Sequence, residues 1–188
     1  LIGPYSLRHA AANGDASAQY EVARRFSLGQ GVPKDHDMAV KWYMHGAAQG
    51  YAPSQYRLAT YFERGLSVEK NIERARIWYK RSAELGNLKA MHNLAVVSTT
   101  LNQKRSDYKE AIYWFKQAAS RNLADSQFNL AILYQNGVGL EKNNVEAYKW
   151  FSLAARQGDL DASIRRDALE KQRTKVELLA ASRQLQGW

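Results

Sequence analysis

Four copies of one aromatic pair constrain this chain more than any other feature. The stretches AVKWY from Ala39, ARIWY from Ala75, AIYWF from Ala111 and AYKWF from Ala147 set Trp42, Trp78, Trp114 and Trp150 each 36 residues apart. Other columns keep the same register. Ala47, Ala83, Ala119 and Ala155 align, as do Ala23, Ala59, Ala95 and Ala131. Val22, Leu58, Leu94 and Leu130 align, and Gly14, Gly50, Gly86 and Gly158 share a column in which Asn122 takes the remaining slot. A period of roughly 20–50 residues with helical spacing is the signature of a solenoid, whose units bury their apolar faces by stacking on their neighbours.

Each unit reads as two helices. The first of each pair, the A helix, is predicted over 16–29, 52–65, 88–101 and 124–137, with apolar positions at i, i+4 and i+8 such as Ala18, Val22 and Phe26. The second, the B helix, is predicted over 36–49, 72–85, 108–121 and 144–157. Asp35, Asn71, Asp107 and Asn143 stand at its starts as N-caps, and Asp107-xx-Glu110 and Asn143-xx-Glu146 have the form of capping boxes. The Gly and Asn residues at its ends suit a left-handed C′ position. Pro53 fits the first turn of an A helix. Residues 4–13 read as a lone B helix and 160–185 as a long closing helix that caps the array, with Ile164, Ala168, Leu169, Val176 and Leu179 as its apolar positions. The expected architecture is therefore all-α: a right-handed α-solenoid of antiparallel helix pairs in a single repeat domain, 1–188, with full repeats at 16–49, 52–85, 88–121 and 124–157.

The recurring pairing of a bulky residue with tiny ones predicts that each Trp fills the groove between helices. Ala47 and Gly46 would then let another backbone come close, and position 46 recurs as Gly46, Ser82, Ala118 and Ala154, all small. Repeat three departs from the rest. It carries LNQK at Leu101–Lys104 where the others have Gly-containing loops, and Ser98 and His92 replace aromatics, so a looser core is expected there.

Composition narrows the function. Hydrophobic content of 45% and an aromatic share of 11% describe a folded chain. The net charge of +9 favours acidic partners, nucleic acid or an anionic surface. The absence of cysteine excludes disulfides, thiol catalysis and Cys-based zinc sites. No apolar run is long enough to span a membrane. The start at Leu1 reads as a fragment or processed form, which makes the lack of a signal peptide uninformative. His9, His36, His45 and His92 are scattered without metal-ligand spacing, and His36 between Asp35 and Asp37 sits at a helix start, where such residues cap. The Gly-x-Gly stretches follow helices and so are loops, not phosphate cradles. No nucleophile, base and orienting group can be assembled from the spacing, so neither enzymatic activity nor a cofactor or metal is expected.

The motif Ala-xx-Trp-Tyr/Phe-xxx-Ala-Ala-xx-Gly, followed by Leu-Ala and then Gly-x-Gly-Val, resembles the Sel-one-like repeat, a relative of the tetratricopeptide repeat. The resemblance implies a scaffold that binds other proteins. In helix-pair solenoids of this type the A helices line the concave face. The residues offset from the core on those helices are Glu21, Arg24 and Arg25; Arg57, Thr60 and Tyr61; Lys89, Asn93, Val96 and Val97; Asp125, Asn129, Ile132 and Leu133. From these, Arg24, Arg25, Arg57, Tyr61, Lys89, Asn93, Asn129 and Leu133 are the candidate partner contacts. The cations would meet carboxylates, and Asn93 with Asn129 would clamp a peptide backbone; a solvated charged face is the alternative. The stretches LRHAAANGDASAQYEVARRF, MHNLAVV and DSQFNLAILYQNGVGLE, with the tail, are similar to the periplasmic C-terminal domains of alphaproteobacterial cell-polarity factors. That similarity implies a periplasmic domain following a membrane span outside this sequence, with envelope proteins or peptides and peptidoglycan as partners. Periplasmic repeat regulators of exopolysaccharide synthesis are the related alternative. No nucleic-acid module is recognised, and nucleic acid is not an expected partner.

Overall fold

The computed structural model describes residues 2–101 and 105–171, and among these there are ten α-helices and no strand. They are α1 (Tyr5–Ala12), α2 (Ala16–Leu28), α3 (His36–Ala48), α4 (Ala52–Arg64) and α5 (Ile72–Glu84), then α6 (Leu88–Leu101), α7 (Arg105–Ser120), α8 (Ala124–Asn136), α9 (Asn144–Arg156) and α10 (Leu160–Lys171). The chain divides into two compact units, Leu1–Leu94 and Ala95–Trp188. In the first, α1 packs on α2, α2 on α3, α3 on α4 and α4 on α5; in the second, α7 packs on α8, α8 on α9 and α9 on α10.

The helix ends follow side-chain chemistry. Asp35 accepts from the Met38 amide at 2.9 Å, Asn71 from Arg74 at 2.8 Å, and Asn143 from Val145 and Glu146 at 3.0 Å each. The starts of α2, α6 and α10 have caps of the same kind, with Asp15 accepting from Ala18, Asn87 from Ala90 and Asp159 from Ala162, whereas α4 and α8 start after Tyr51 and Leu123 without a side-chain cap. Each cap satisfies a backbone donor that the helix itself leaves unpaired. Where a cap is expected at Asp107, α7 begins at Arg105, so residue 107 falls inside the helix, and its side chain lies outside the described ones. The expected loop at LNQK and most of the expected closing helix, beyond Lys171, lie outside the described residues. Within α10 the buried positions are Ala162 and Leu169, whereas Ile164 is exposed. The expected inward stripe is thus shifted: Ile164 lies two residues from Ala162, about 200° round a helix of 3.6 residues per turn.

The core corrects the reading of the tryptophans. The deepest rings are their neighbours, with Tyr43 1% exposed, Tyr79 0%, Phe115 3% and Phe151 0%. Trp114 and Trp150 are buried, but Trp42 and Trp78 are only half-buried, and the Arg81 guanidinium lies 4.7 Å from the centre of the Trp78 ring. Helical spacing supplies the reason. Ala39, Tyr43 and Ala47 follow at i, i+4 and i+8 on one inward stripe, and Trp42 stands one residue, about 100°, off it. The small residues behave as expected. A Cβ placed on Gly46 would come 2.4 Å from Ser54 Oγ and 3.3 Å from the Ala16 carbonyl oxygen. One repeat on, Ser82 donates to the matching carbonyl, that of Ala52, at 2.7 Å.

A column of buried glutamines completes the stacking. Gln19 donates to the Ala11 carbonyl at 3.2 Å, Gln55 to Ala47 at 3.2 Å and Gln127 to Ala119 at 3.1 Å. Each bond ties an A helix to the last turn of the B helix before it, where carbonyls lack intrahelical donors. A second glutamine closes the arrangement: Gln49 donates to Gln19 Oε1 at 2.8 Å and Gln157 to Gln127 Oε1 at 2.7 Å. In the repeat between, Leu85 takes the position of Gln49 and is 58% exposed, and Gln55 Oε1 is buried without a partner among the described residues.

Two stability predictions follow from this packing. Leu85→Gln should raise the denaturation free energy by about 0.5–1.5 kcal/mol, the usual net worth of a hydrogen bond, measured by urea melts. Gly46→Val should lower it by about 1–3 kcal/mol through overpacking against Ser54 and the Ala16 carbonyl. Gly46→Ala should cost less than Gly46→Val, because position 118 carries Ala in the same register and the Ser54 hydroxyl can turn away from the new Cβ.

Candidate functional site

The predicted A-helix stripe is not uniform. In the first unit its members are largely tied to each other. The Glu21 carboxylate accepts from Arg24 at 2.7 and 2.9 Å and from Arg25 at 2.9 Å, which holds both guanidinium groups on their own helix. The bond from Arg24, aided by Arg25, pulls the Glu21 pKa below the ordinary carboxylate value against the opposing effect of burial. Arg57 is exposed, with its guanidinium 6.0 Å from the centre of the Tyr56 ring. Lys89 is exposed. Tyr61 is buried; its hydroxyl lies 2.9 Å from His36 Nδ1, and its ring meets Tyr43 edge-on. Burial pushes the Tyr61 phenol pKa up.

Asn93 belongs to a partly buried polar relay. It donates to the Tyr79 hydroxyl at 3.0 Å, and that hydroxyl donates in turn to Glu63. Burial, together with the Glu63 carboxylate, drives the Tyr79 pKa well above the usual phenol value, so the hydroxyl stays protonated. One repeat earlier the same register holds Ser27, Tyr43 and Arg57, with Tyr43 hydrogen-bonded to Ser27. These relays fill the space beside the inward aromatic ring with satisfied polar groups.

In the second unit the same positions are Thr99, Phe115 and Asn129. Phe115 has no hydroxyl, so there is no relay. Thr99 donates to the Val96 carbonyl of its own helix at 2.7 Å. The Asn129 side chain makes no hydrogen bond among the described residues. An open cleft of about 350 Å³ lies here, at the lower end of ligand-site volumes, lined by Val96, Thr99, Phe115, Asn129, Ile132 and Leu133 among others. The structure therefore brings together four members of the expected stripe, Val96, Asn129, Ile132 and Leu133. Asn93 and Asn129 fall in different units. Among the described residues no group of three His, Cys, Asp or Glu side chains could hold a metal ion, and no helix is long and apolar enough to cross a membrane.

Antiparallel helix pairs repeating at 36 residues, with small residues at each close approach, define a helical-repeat protein of the solenoid class. The Sel1 repeat matches four times in succession, over residues 16–51, 52–87, 88–123 and 124–159, and the chain belongs to that family. Among solved structures it is similar to c5321 of uropathogenic Escherichia coli, a protective antigen displaying an SLR fold. The identity there is 27% and the TM-score 0.78, over 96% of this chain and 47% of the other. It is equally similar to a Sel1 repeat protein from Oxalobacter formigenes, at 27% identity and a TM-score of 0.78 over 86% of this chain and 68% of that one. The immunity protein Pa5087 from Pseudomonas aeruginosa shares the fold at 19% identity and a TM-score of 0.53, over 83% of this chain and 58% of the other. The chain spans about half the length of the first of these relatives. A comparison with curated proteins returns no match.

Sequence reasoning passed over the relay. Its signal was in the repeat itself: WY in AVKWY and ARIWY, WF in AIYWF and AYKWF. Tyr79→Phe should cost about 1–3 kcal/mol in a chemical melt, because it strands Asn93 and Glu63 beside an apolar ring. Tyr79→Phe with Glu63→Leu and Asn93→Leu should recover much of that loss.

Proposed function

We propose that the chain is a protein-interaction scaffold that recruits its partners through the A-helix stripe. One observation carries this reading: within a Sel1 repeat array, the expected stripe opens in the second unit into a cleft with apolar walls and an amide. Family membership supports it, since Sel1 repeat proteins bind other proteins.

The finer reading is a periplasmic domain of a bacterial cell-polarity organiser that gathers envelope proteins at a cell pole. It rests on the similarity of LRHAAANGDASAQYEVARRF, MHNLAVV and DSQFNLAILYQNGVGLE to the C-terminal domain of the polarity factor PodJ. The net charge of +9 favours one further reading, direct binding of peptidoglycan or another anionic glycan through exposed cations such as Lys89 and Arg57.

A photo-crosslinking residue at Ile132 should capture an envelope protein in the source cell, and one at Lys80 on a B helix should capture far less. Equal capture from both positions, or none from Ile132, would remove the stripe as the recruiting surface. Sacculi should pull the domain down at low salt, with loss at high salt, only if the glycan reading holds.

A further inference from the structure

The register that forms the cleft of the second unit differs at two side chains from the same register in the first. Shifting Glu63, Tyr79 and Asn93 by one repeat gives Thr99, Phe115 and Asn129. In the first triad the three side chains are tied together: Asn93 donates to Tyr79, and Tyr79 to Glu63. In the second, Thr99 turns to its own backbone and Asn129 has no partner among the described residues. Its amide stands half-buried against Val96, Ile132 and Leu133, with Phe115 at the base of the cleft. An amide with no partner among the described residues is available to a ligand that enters the cleft.

From this the geometry points to a specific occupant, resting on the scaffold reading above: a partner polypeptide that inserts one neutral aliphatic or aromatic side chain into the cleft and sets its adjacent main-chain amide on Asn129. Three features select it. Among the described residues that line the cleft no side chain is charged at neutral pH, so an acidic or basic side chain would enter without a counter-ion from them. A carboxamide offers one acceptor and a donor pair, the complement of a peptide N–H and C=O. The volume of about 350 Å³ suits a side chain with its flanking peptide units and not a large cofactor. At the equivalent position of the first unit the Tyr79 hydroxyl already holds the Asn93 amide. Recognition through the asparagines is thereby assigned to Asn129 alone.

The test uses the whole chain with N-acetyl-leucine amide as the probe, followed by NMR through the Asn129 side-chain amide and the methyls of Val96, Ile132 and Leu133. A saturable shift is expected. Affinity should fall about tenfold or more in Asn129→Ala and in Phe115→Tyr, which restores the relay hydroxyl, and should be unchanged in Asn93→Ala. Thermal melts of Phe115→Tyr should match or exceed those of the parent, since this register already accepts Tyr43 and Tyr79. N-acetyl-glycine amide and N-acetyl-aspartate amide should bind more weakly. No saturable shift, tighter binding of the aspartate probe, or undiminished binding by a folded Phe115→Tyr would overturn the assignment. The scaffold reading has a separate fate. If crosslinking finds no protein partner while the probe binds as described, the scaffold reading fails and the site stands. If Phe115→Tyr captures the same partner as the parent, the site fails and the scaffold stands.

Discussion

The structure depends on how closely one helix backbone can approach the next. A hairpin of two thirteen-residue helices such as α2 and α3 cannot bury both of its faces alone, so it is held by what stacks on it. The stacking distance is set by positions 46, 82, 118 and 154, occupied by Gly, Ser, Ala and Ala. At that separation Ser82 reaches the Ala52 carbonyl, and the buried glutamines reach carbonyls at the ends of the preceding helices. Wider spacing would leave those carbonyls and amides unpaired in the core, at a cost of about 1–3 kcal/mol for each.

Much of this was legible in the sequence because periodicity reports burial directly. The column Ala39, Ala75, Ala111 and Ala147 is buried throughout, and so is the column Ala23, Ala59, Ala95 and Ala131. Helix ends were legible for a related reason. A backbone that needs positive φ calls for Gly or Asn, and Gly50 at +82° and Asn122 at +68° fill that role at equivalent positions. Tryptophan misled in two of the four repeats because size was read as depth: Trp42 and Trp78 stand off the inward stripe, and their smaller neighbours Tyr43 and Tyr79 are on it.

The polar interior was harder to read. Gln19, Gln55 and Gln127 form a column as regular as any alanine column, with Met91 in the remaining repeat. Glutamine is mostly a surface residue, so the column carries no sign of burial until its place one turn before Ala23, Ala59 and Ala131 is considered. The candidate stripe shows the same limit. Tyr61 sits at a plausible surface spacing, yet its ring is inside and its hydroxyl faces His36. Helical register fixes a residue's angle to within one position, and for a long side chain one position separates core from groove.

The Tyr79-to-Phe115 difference reaches beyond this molecule's present state. Tyrosine and phenylalanine codons are separated by a single nucleotide, and both rings fit the same slot between the same alanines. A repeat of this kind can therefore be toggled between a plugged and a receptive form by point mutation, with no insertion and no shift in length. Arrays built on this plan have a cheap evolutionary route to diversify what they hold while the framework that holds it is inherited unchanged.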